Sequence, residues 1–121
     1  MPQPDDSVRE SVIEKYLITR LNALRTCYPY RSVVVKKISG HGWRGWPDRV
    51  ALFGMEHSTP ACTHWLEVKR PKGGRFEPLQ LRRHAALRDM GFIVRVVNTR
   101  ELVDIYIDEI VMMGPHRVLQ G

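Results

Sequence analysis

The sequence predicts an α/β domain in which a mixed central sheet is flanked by helices, in the order α-β-β-β-α-β-α. Helical and strand periodicities alternate along the 121 residues, without internal repeats or linkers. The second and third strand segments are joined by GMEHSTPAC, which is too short for a crossover helix, so these strands should run antiparallel. A sheet with helices on its faces is the natural packing for this order.

The first helix is predicted to begin at Ser7 and to last to about Thr26. Ser7 and Glu10 have the S-x-x-E spacing of a capping box. Apolar residues then recur at three- and four-residue steps, which predicts one buried stripe made of Val12, Ile13, Tyr16, Leu17, Leu21 and Leu24. The sequence Tyr28-Pro29 ends the helix.

Three strands are predicted next, at residues 32–38, 49–53 and 63–69. The first of these (SVVVKKI) is rich in β-branched residues, as strands are. It is followed by SGHGWRGWP, whose three glycines predict a loop. The second and third strands form the antiparallel hairpin.

A second helix follows the basic turn RPKGGRFEP, with Pro78 in its first turn and Gly91 as its C-terminal cap. Its predicted apolar residues are Leu79, Leu81, Ala85, Leu87 and Met90. Residues 92–98 (FIVRVVN) form a fourth strand. Asn98 and Glu101 repeat the capping-box spacing of Ser7 and Glu10, which predicts the start of a last helix that reaches about Met112. The tail GPHRVLQG is expected to fray.

The composition fits one domain over residues 1–121, with a core at about 7–112 and a tail at 113–121. An excess of 19 Lys and Arg over 13 Asp and Glu gives a net charge of +6 and a pI near 9.7, which favours nucleic acid as a partner. Cys27 and Cys62 have no CxxC spacing, and we interpret both as packing residues in a reducing compartment. We expect a cytoplasmic location, because neither a leader pattern nor an apolar run of about 18 residues is present.

The hairpin predicts a functional site. If it closes with Phe53 opposite Cys62, the same register puts Asp48 opposite Glu67. Directly opposed residues have Cβ atoms about 4.5–5.5 Å apart. Lys69, two residues after Glu67, would emerge from the same face. Two such carboxylates repel each other, and a divalent cation that takes oxygen ligands, such as Mg²⁺, would offset the repulsion. A slip by one residue would turn Asp48 to the opposite face.

Two further polar residues join this hypothesis. Glu14 shares its helical face with the apolar stripe, where a carboxylate is costly unless it is paired or ligated, so it belongs beside the metal or beside a buried cation. Gln80 lies in the first turn of the second helix, where its amide would orient a water or a phosphate. Each residue alone has an ordinary explanation, such as a surface ion pair between Glu67 and Lys69. Their combination in this order is more specific.

At these residues the chain resembles the PD-(D/E)xK nuclease superfamily, and more closely its virus-type replication-repair nuclease (VRR-NUC) domain. The resemblance rests on Gly45-Trp46-Pro47-Asp48, on Trp65-Leu66-Glu67-Val68-Lys69 and on Gly74-Arg75-Phe76-Glu77-Pro78-Leu79-Gln80. It extends from the first helix through the fourth strand and implies a restriction-endonuclease-like fold. The family usually has a small or aliphatic residue where Trp46 stands, a change that leaves the metal ligands untouched.

The resemblance implies a role for each site residue. Asp48, Glu67 and the Val68 backbone carbonyl would hold Mg²⁺ or Mn²⁺, and Glu14 would complete the shell directly or through water. Lys69 would orient the nucleophilic water. Gln80 would support this network. The implied reaction is hydrolysis of DNA phosphodiesters to leave a 5′-phosphate and a 3′-hydroxyl.

Seven basic residues around the site are candidates for phosphate contacts: Arg44, Arg49, Arg70, Lys72, Arg75, Arg82 and Arg83. Such contacts give salt-dependent affinity with little base information. The alternative is an ordinary solvated basic surface. The side chains of His41, Trp43 and Trp46 either touch DNA or pack the glycine loop.

Stand-alone members of the family resemble Holliday-junction resolvases, which act as two-fold dimers. We therefore expect a structure-selective DNA endonuclease that acts as a homodimer on branched DNA, as would suit repair or recombination in a phage. The surplus apolar surface of the last helix would form the dimer seam, although core packing explains it nearly as well. One alternative is a nuclease for flaps, ends or simple duplex. Another is a basic DNA-binding module that does not cut.

Overall fold

The structure is a computed structural model that describes residues 9–70 and 75–120. Its elements are helix α1 (Glu10–Ala23), a 3-10 turn (Leu24–Thr26), strands β1 (Tyr30–Lys37), β2 (Arg49–Met55) and β3 (Cys62–Val68), helix α2 (Pro78–Asp89), strand β4 (Ile93–Val97), helix α3 (Arg100–Met113) and a second 3-10 turn (Pro115–Arg117). The predicted α/β class and element order are confirmed.

The four strands form one sheet in the order β1-β2-β3-β4. The chain runs antiparallel from β1 to β2 and from β2 to β3, whereas β4 lies parallel to β3. Helix α2 makes the crossover that this parallel pair requires. The sheet is therefore mixed, as predicted.

The two sheet faces are covered by different helices. Alternation along β3 directs Leu66 and Val68 into the main apolar core, which includes residues of α1 and α3. Glu67, between them, points to the opposite face, where His84 of α2 lies. The chemistry of the hairpin therefore faces α2, while most of the apolar core lies on the other side of the sheet.

Helix α1 begins later than predicted. Its N-cap is Arg9 and its first residue is Glu10, so the capping box expected from Ser7 is wrong in position; Ser7 itself lies outside the described residues. The buried stripe consists of Ile13, Leu17 and Leu21, and Val12 is exposed. Leu24, directly after the helix, is also buried and Tyr16 packs against the core, so of the six predicted residues only Val12 is exposed.

The capping box that does form opens α2. The Glu77 side chain accepts from the backbone at Gln80, and Gln80 Oε1 accepts from Glu77 N at 2.9 Å. The predicted apolar stripe of α2 is wrong for Leu81, Ala85 and Met90, which are exposed. The buried residues of α2 are His84 and Leu87. Gly91 follows the helix with a φ of +94°, in keeping with its predicted capping role.

The tail, expected to fray, is docked over residues 115–120. Val118 is 5% exposed and belongs to the core. Gln120 Oε1 accepts from Val94 N at 3.0 Å, and Gln120 Nε2 donates to Phe92 O at 3.0 Å. The Gln120 amide thus takes the place of a neighbouring strand at the β4 edge, which explains why the fraying prediction was wrong.

Two smaller expectations concern the cysteines and the membrane. Cys62 packs against the core, but Cys27 is exposed, so the packing role predicted for Cys27 is wrong. Among the helices formed by residues 9–70 and 75–120, none has the length and apolar character needed to cross a bilayer.

Candidate active site

The hairpin closes in the predicted register. Phe53 lies opposite Cys62, and Arg49 lies opposite Leu66. The paired ladder ends there, and its extension by one step puts Asp48 opposite Glu67, in agreement with the effect of the Glu67 charge on the pKa of Asp48. The Asp48 main chain is fixed there, because its carbonyl accepts from Ile38 N at 2.8 Å. The two carboxylates therefore share the sheet face that α2 covers.

Glu67 is buried, Asp48 is half-buried, and their negative charges repel each other. Burial raises the pKa of Asp48 from its ordinary 3.8 to about 7, and the charge of Glu67 is the next largest cause. The carboxylates of Glu14 and Glu10 raise this pKa further, while the Arg49 guanidinium lowers it. Asp48 Oδ1 and Glu67 Oε1 are both buried, and neither has a hydrogen-bond partner within residues 9–70 and 75–120. Two unsatisfied acidic oxygens side by side suit a divalent cation, which would neutralise the charge and accept both as ligands.

Lys69 is oriented by the start of α2. Its Nζ donates to Gln80 Oε1 at 3.4 Å, and the same oxygen accepts from Glu77 N. The ammonium also lies 5.1 Å from the centre of the Phe76 ring, within the range of a cation–π contact. The capping interaction that begins α2 thus holds the acceptor that steers Lys69.

Glu14 and Arg49 form an ion pair on the α1 side of the sheet. The Arg49 side chain is 10% exposed, because this residue faces the same way as its partner Leu66. Its prediction as a phosphate contact is therefore corrected: the guanidinium is committed to Glu14. Of the two partners foreseen for Glu14, a metal or a buried cation, the structure provides the cation.

In this structure the candidate metal site consists of two carboxylates, those of Asp48 and Glu67. Within the residues that the structure describes, no three His, Cys, Asp or Glu side chains come together as a metal-binding group. Glu14 influences Asp48 through its charge. To act as a ligand it would have to turn away from Arg49.

His84 is the residue that sequence reasoning missed. It is 2% exposed, and its Nε2 lies 3.6 Å from Glu67 Oε1. In the part of the chain that the structure describes, neither atom has a hydrogen-bond partner. The Phe76 ring packs edge-on against the imidazole, with centroids 5.5 Å apart. A signal was present, because His84 lies four residues after Gln80 and therefore on the same face of α2.

The glycine loop is packed onto α2 through Gly45. This residue has a φ of +84°, and a Cβ there would lie 2.7 Å from Leu79 Cγ. Only glycine combines this backbone conformation with so close an approach. The contact fixes the segment that continues through Pro47 to Asp48.

Aromatic residues continue this packing. The Trp46 ring lies 5.4 Å from that of Trp43 and 5.7 Å from that of Trp65, and the Arg83 guanidinium stacks over it at 5.6 Å. Trp46 is half-buried, whereas Trp43 is 42% exposed. Of the two interpretations left open for these residues, loop packing describes Trp46.

The other basic residues lie at the surface. Exposed side chains are those of Arg44, Arg70, Arg75, Arg82 and Arg83. Arg44 approaches Glu77 to 3.9 Å in an exposed pair, which contributes little stability. Lys72 lies outside the described residues.

Comparison with known proteins adds independent information. No family model and no curated protein matches the chain. A solved structure described as "VRR_NUC domain" matches it with 29% sequence identity and a TM-score of 0.65, over 82% of this chain and 94% of that chain. The resemblance predicted from the sequence is confirmed. The likeness supports a nuclease domain of the PD-(D/E)xK type.

Proposed function

We propose that this chain is a Mg²⁺- or Mn²⁺-dependent endonuclease that hydrolyses phosphodiesters in branched DNA. The observation that carries the proposal is the register of the hairpin, which pairs Arg49 with Leu66 and, extended by one step, puts Asp48 beside Glu67. Among the described residues, neither Asp48 Oδ1 nor Glu67 Oε1 has a hydrogen-bond partner, and both oxygens are buried. Lys69 follows on the same face. The likeness to a VRR_NUC domain supports the same reaction class.

Each side chain has a task that its position suits. Asp48, Glu67 and the Val68 carbonyl would hold the cation, and Glu14, once turned away from Arg49, would approach it directly or through water. A bound Mg²⁺ or Mn²⁺ supplies charge that polarises a phosphoryl oxygen and lowers the pKa of bound water. The Lys69 ammonium would orient the attacking water and stabilise negative charge that develops on the phosphate. Gln80 would hold Lys69 in place.

Exposed arginines support DNA as the substrate. Arg70 and Arg75 lie in the sequence between β3 and α2, and Arg82 and Arg83 are exposed on α2, the helix on the same sheet face as the two acids. Arg44 extends this charge onto the glycine loop. Because such contacts act on phosphates, we expect DNA affinity to fall steeply with salt.

A homodimer is part of the proposal, since two symmetric cuts require two sites. Helix α3 carries exposed apolar side chains at Ile105, Val111 and Met112, which are 49%, 65% and 83% exposed. We assign the dimer seam to this surface. Met112→Glu should shift the mass measured by sedimentation from dimer to monomer, whereas Glu101→Gln, an exposed change on the same helix, should leave it unchanged. A wild-type monomer would remove the dimer from the proposal.

The decisive experiment is a cleavage assay on a four-way junction, a flap and a simple duplex with Mg²⁺ or Mn²⁺. Wild type should cut, while Lys69→Ala and Asp48→Ala should bind DNA and fail to cut. Lys15→Ala, at an exposed position of α1, is the matched control for lysine loss and should cut normally.

The outcomes separate the alternatives. Symmetric nicks on the junction and none on the duplex select a resolvase. Comparable cutting of flap and duplex selects the broader nuclease. If all four proteins bind DNA equally and none cuts, the non-catalytic DNA-binding module is correct.

A further inference from the structure

We propose that the exposed ring of Trp43 is a stacking platform for an unpaired nucleobase. The inference rests on the proposed function and deepens it, because it names how the site would recognise DNA whose bases are not all paired. Trp43 has no role in the metal binding and hydrolysis proposed for Asp48, Glu67 and Lys69.

The platform is held from behind. Trp43 packs edge-on against Trp46, with an interplanar angle of 74°. Trp46 in turn packs against Trp65, and the guanidinium of Arg83 lies over the Trp46 ring. A turn hydrogen bond from Trp46 N to Trp43 O, at 3.1 Å, fixes the backbone between the two rings. A ring held in this way loses little further freedom when a ligand stacks on it.

Exposure alone would not carry the inference, since single exposed apolar residues are common. The charge around Trp43 distinguishes it. Arg44, the next residue in the chain, has a side chain that is 84% exposed. Arg83 lies over the ring of Trp46, which packs against Trp43. Aromatic rings that take bases, accompanied by guanidinium groups that take phosphates, are the combination that binds single-stranded nucleic acid.

The location fits the same substrate. Trp43 precedes Asp48 by five residues, three of which are spanned by the turn to Trp46. The Cα atoms of Trp43 and Asp48 are therefore separated by at most about 14 Å, a few nucleotides along a strand. Inside a duplex both faces of a base are already stacked. Trp43 can therefore accept only a base that a branch, gap or end leaves free.

The test measures DNA binding in EDTA, so that no cutting occurs. Wild type and Trp43→Ala are each titrated with a duplex that bears a single-stranded branch, with the same branch in which unpaired bases are replaced by abasic sites, and with a fully paired duplex. Abasic sites remove the stacking partner and keep every phosphate. Trp43→Phe retains a ring, and Tyr28→Ala removes an exposed aromatic side chain at the far end of β1 as the control.

Trp43→Ala should weaken binding to the branched DNA by about 5- to 50-fold and leave binding to the paired duplex unchanged. The abasic substitution should cost wild type a similar factor and cost Trp43→Ala nothing, while Trp43→Phe should recover most of the affinity. Equal losses on branched and paired DNA, no loss at all, or a wild type that binds no DNA would overturn the inference. Cutting by wild type in Mn²⁺ is scored separately, so that failure of the nuclease proposal and failure of the platform remain distinct.

Discussion

At the scale of single residues, Asp48 combines function with a cost in stability. Its pKa in the fold is about 7, against an ordinary 3.8, so the folded state prefers the neutral carboxyl. Above pH 7 without metal, the fold must hold an ionised acid beside Glu67. We predict that Asp48→Asn raises the free energy of unfolding by about 1–3 kcal/mol in EDTA at pH 8. A thermal melt should show this as a gain of several degrees, together with loss of cleavage.

Asp108→Asn is the control for this prediction, because Asp108 is exposed on α3, away from the acid pair. It should change neither the melting temperature nor cleavage. A second signature concerns the metal itself: Mn²⁺ should raise the melting temperature of wild type and leave that of Asp48→Asn almost unchanged. If Asp48→Asn instead melts lower than wild type in EDTA, the strain assigned to the acid pair does not exist.

His84 gives a prediction of another kind, since it touches Glu67 and would act on the metal only through that residue. Removal of a group that orients a metal ligand typically lowers metal affinity about 10- to 100-fold. We expect this loss for His84→Ala, measured as Mn²⁺ binding by electron paramagnetic resonance. His84→Gln, which keeps an N–H donor, should recover part of it.

The matched control is His57→Ala, at an exposed position in the β2–β3 turn, the opposite end of the hairpin from Asp48. A folded His84→Ala protein that binds Mn²⁺ as tightly as wild type would leave His84 as a packing residue only.

At the scale of elements, the glycine loop and α2 hold each other in place. Gly45 and Gly42 have similar φ values of +84° and +87°, but only Gly45 has a neighbour that a Cβ would strike. We predict that Gly42→Ala loses about 1 kcal/mol from backbone strain alone. Gly45→Ala should lose about 1–3 kcal/mol more, because Leu79 must move.

Urea unfolding measures this difference, and cleavage adds a functional readout. Because Gly45 leads through Pro47 to Asp48, Gly45→Ala should also cut more slowly than Gly42→Ala. Equal stability and equal cutting by the two variants would mean that the loop does not depend on its contact with α2.

The elements also show what a sequence can and cannot predict. The register followed from a loop that closes symmetrically between Phe53 and Cys62, which is local information. The inward side of α2 did not, because it consists of the half-buried Gln80 and the buried His84 and Leu87. Its polar residues face inward only because β3 presents Glu67 to them. The apolar pattern predicted that Leu81 would be buried, because a helical pattern contains no information about Glu67 on β3.

At the scale of the whole molecule, what could not be foreseen depends on contacts between distant elements. Glu67 lies on β3, and Asp48 and Lys69 directly adjoin the ends of β2 and β3, so local pairing predicts their proximity. The ion pair of Glu14 with Arg49 joins α1 to β2, and its existence depends on how the helix crosses the sheet. Docking of the tail depends likewise on Gln120 meeting an open strand edge.

The response of the whole fold to pH follows from two buried groups that act in opposite directions. His64 Nε2 donates to Pro115 O at 2.6 Å, because a carbonyl can only accept, so Nδ1 accepts from the Tyr106 hydroxyl at 2.5 Å. Burial of this neutral ring lowers the pKa of His64 from 6.5 to about 4. Between these values the unfolded chain binds the extra proton, so the free energy of unfolding rises with pH. For Asp48, in contrast, the folded state binds the extra proton between 3.8 and about 7. The contribution of Asp48 to the free energy of unfolding therefore falls with pH over almost the same range.

The two slopes nearly cancel, and this balance is testable between pH 5 and 6.5 in EDTA. We predict that urea unfolding of wild type gives an almost constant free energy there. In Asp48→Asn only the His64 contribution remains, so stability should rise by about 1–2 kcal/mol across the interval, while Asp108→Asn should follow wild type. Curves for wild type and Asp48→Asn that run parallel would show that Asp48 releases its proton as readily in the fold as in the unfolded chain. The acid pair would then lack the electrostatic strain that a divalent cation is expected to relieve.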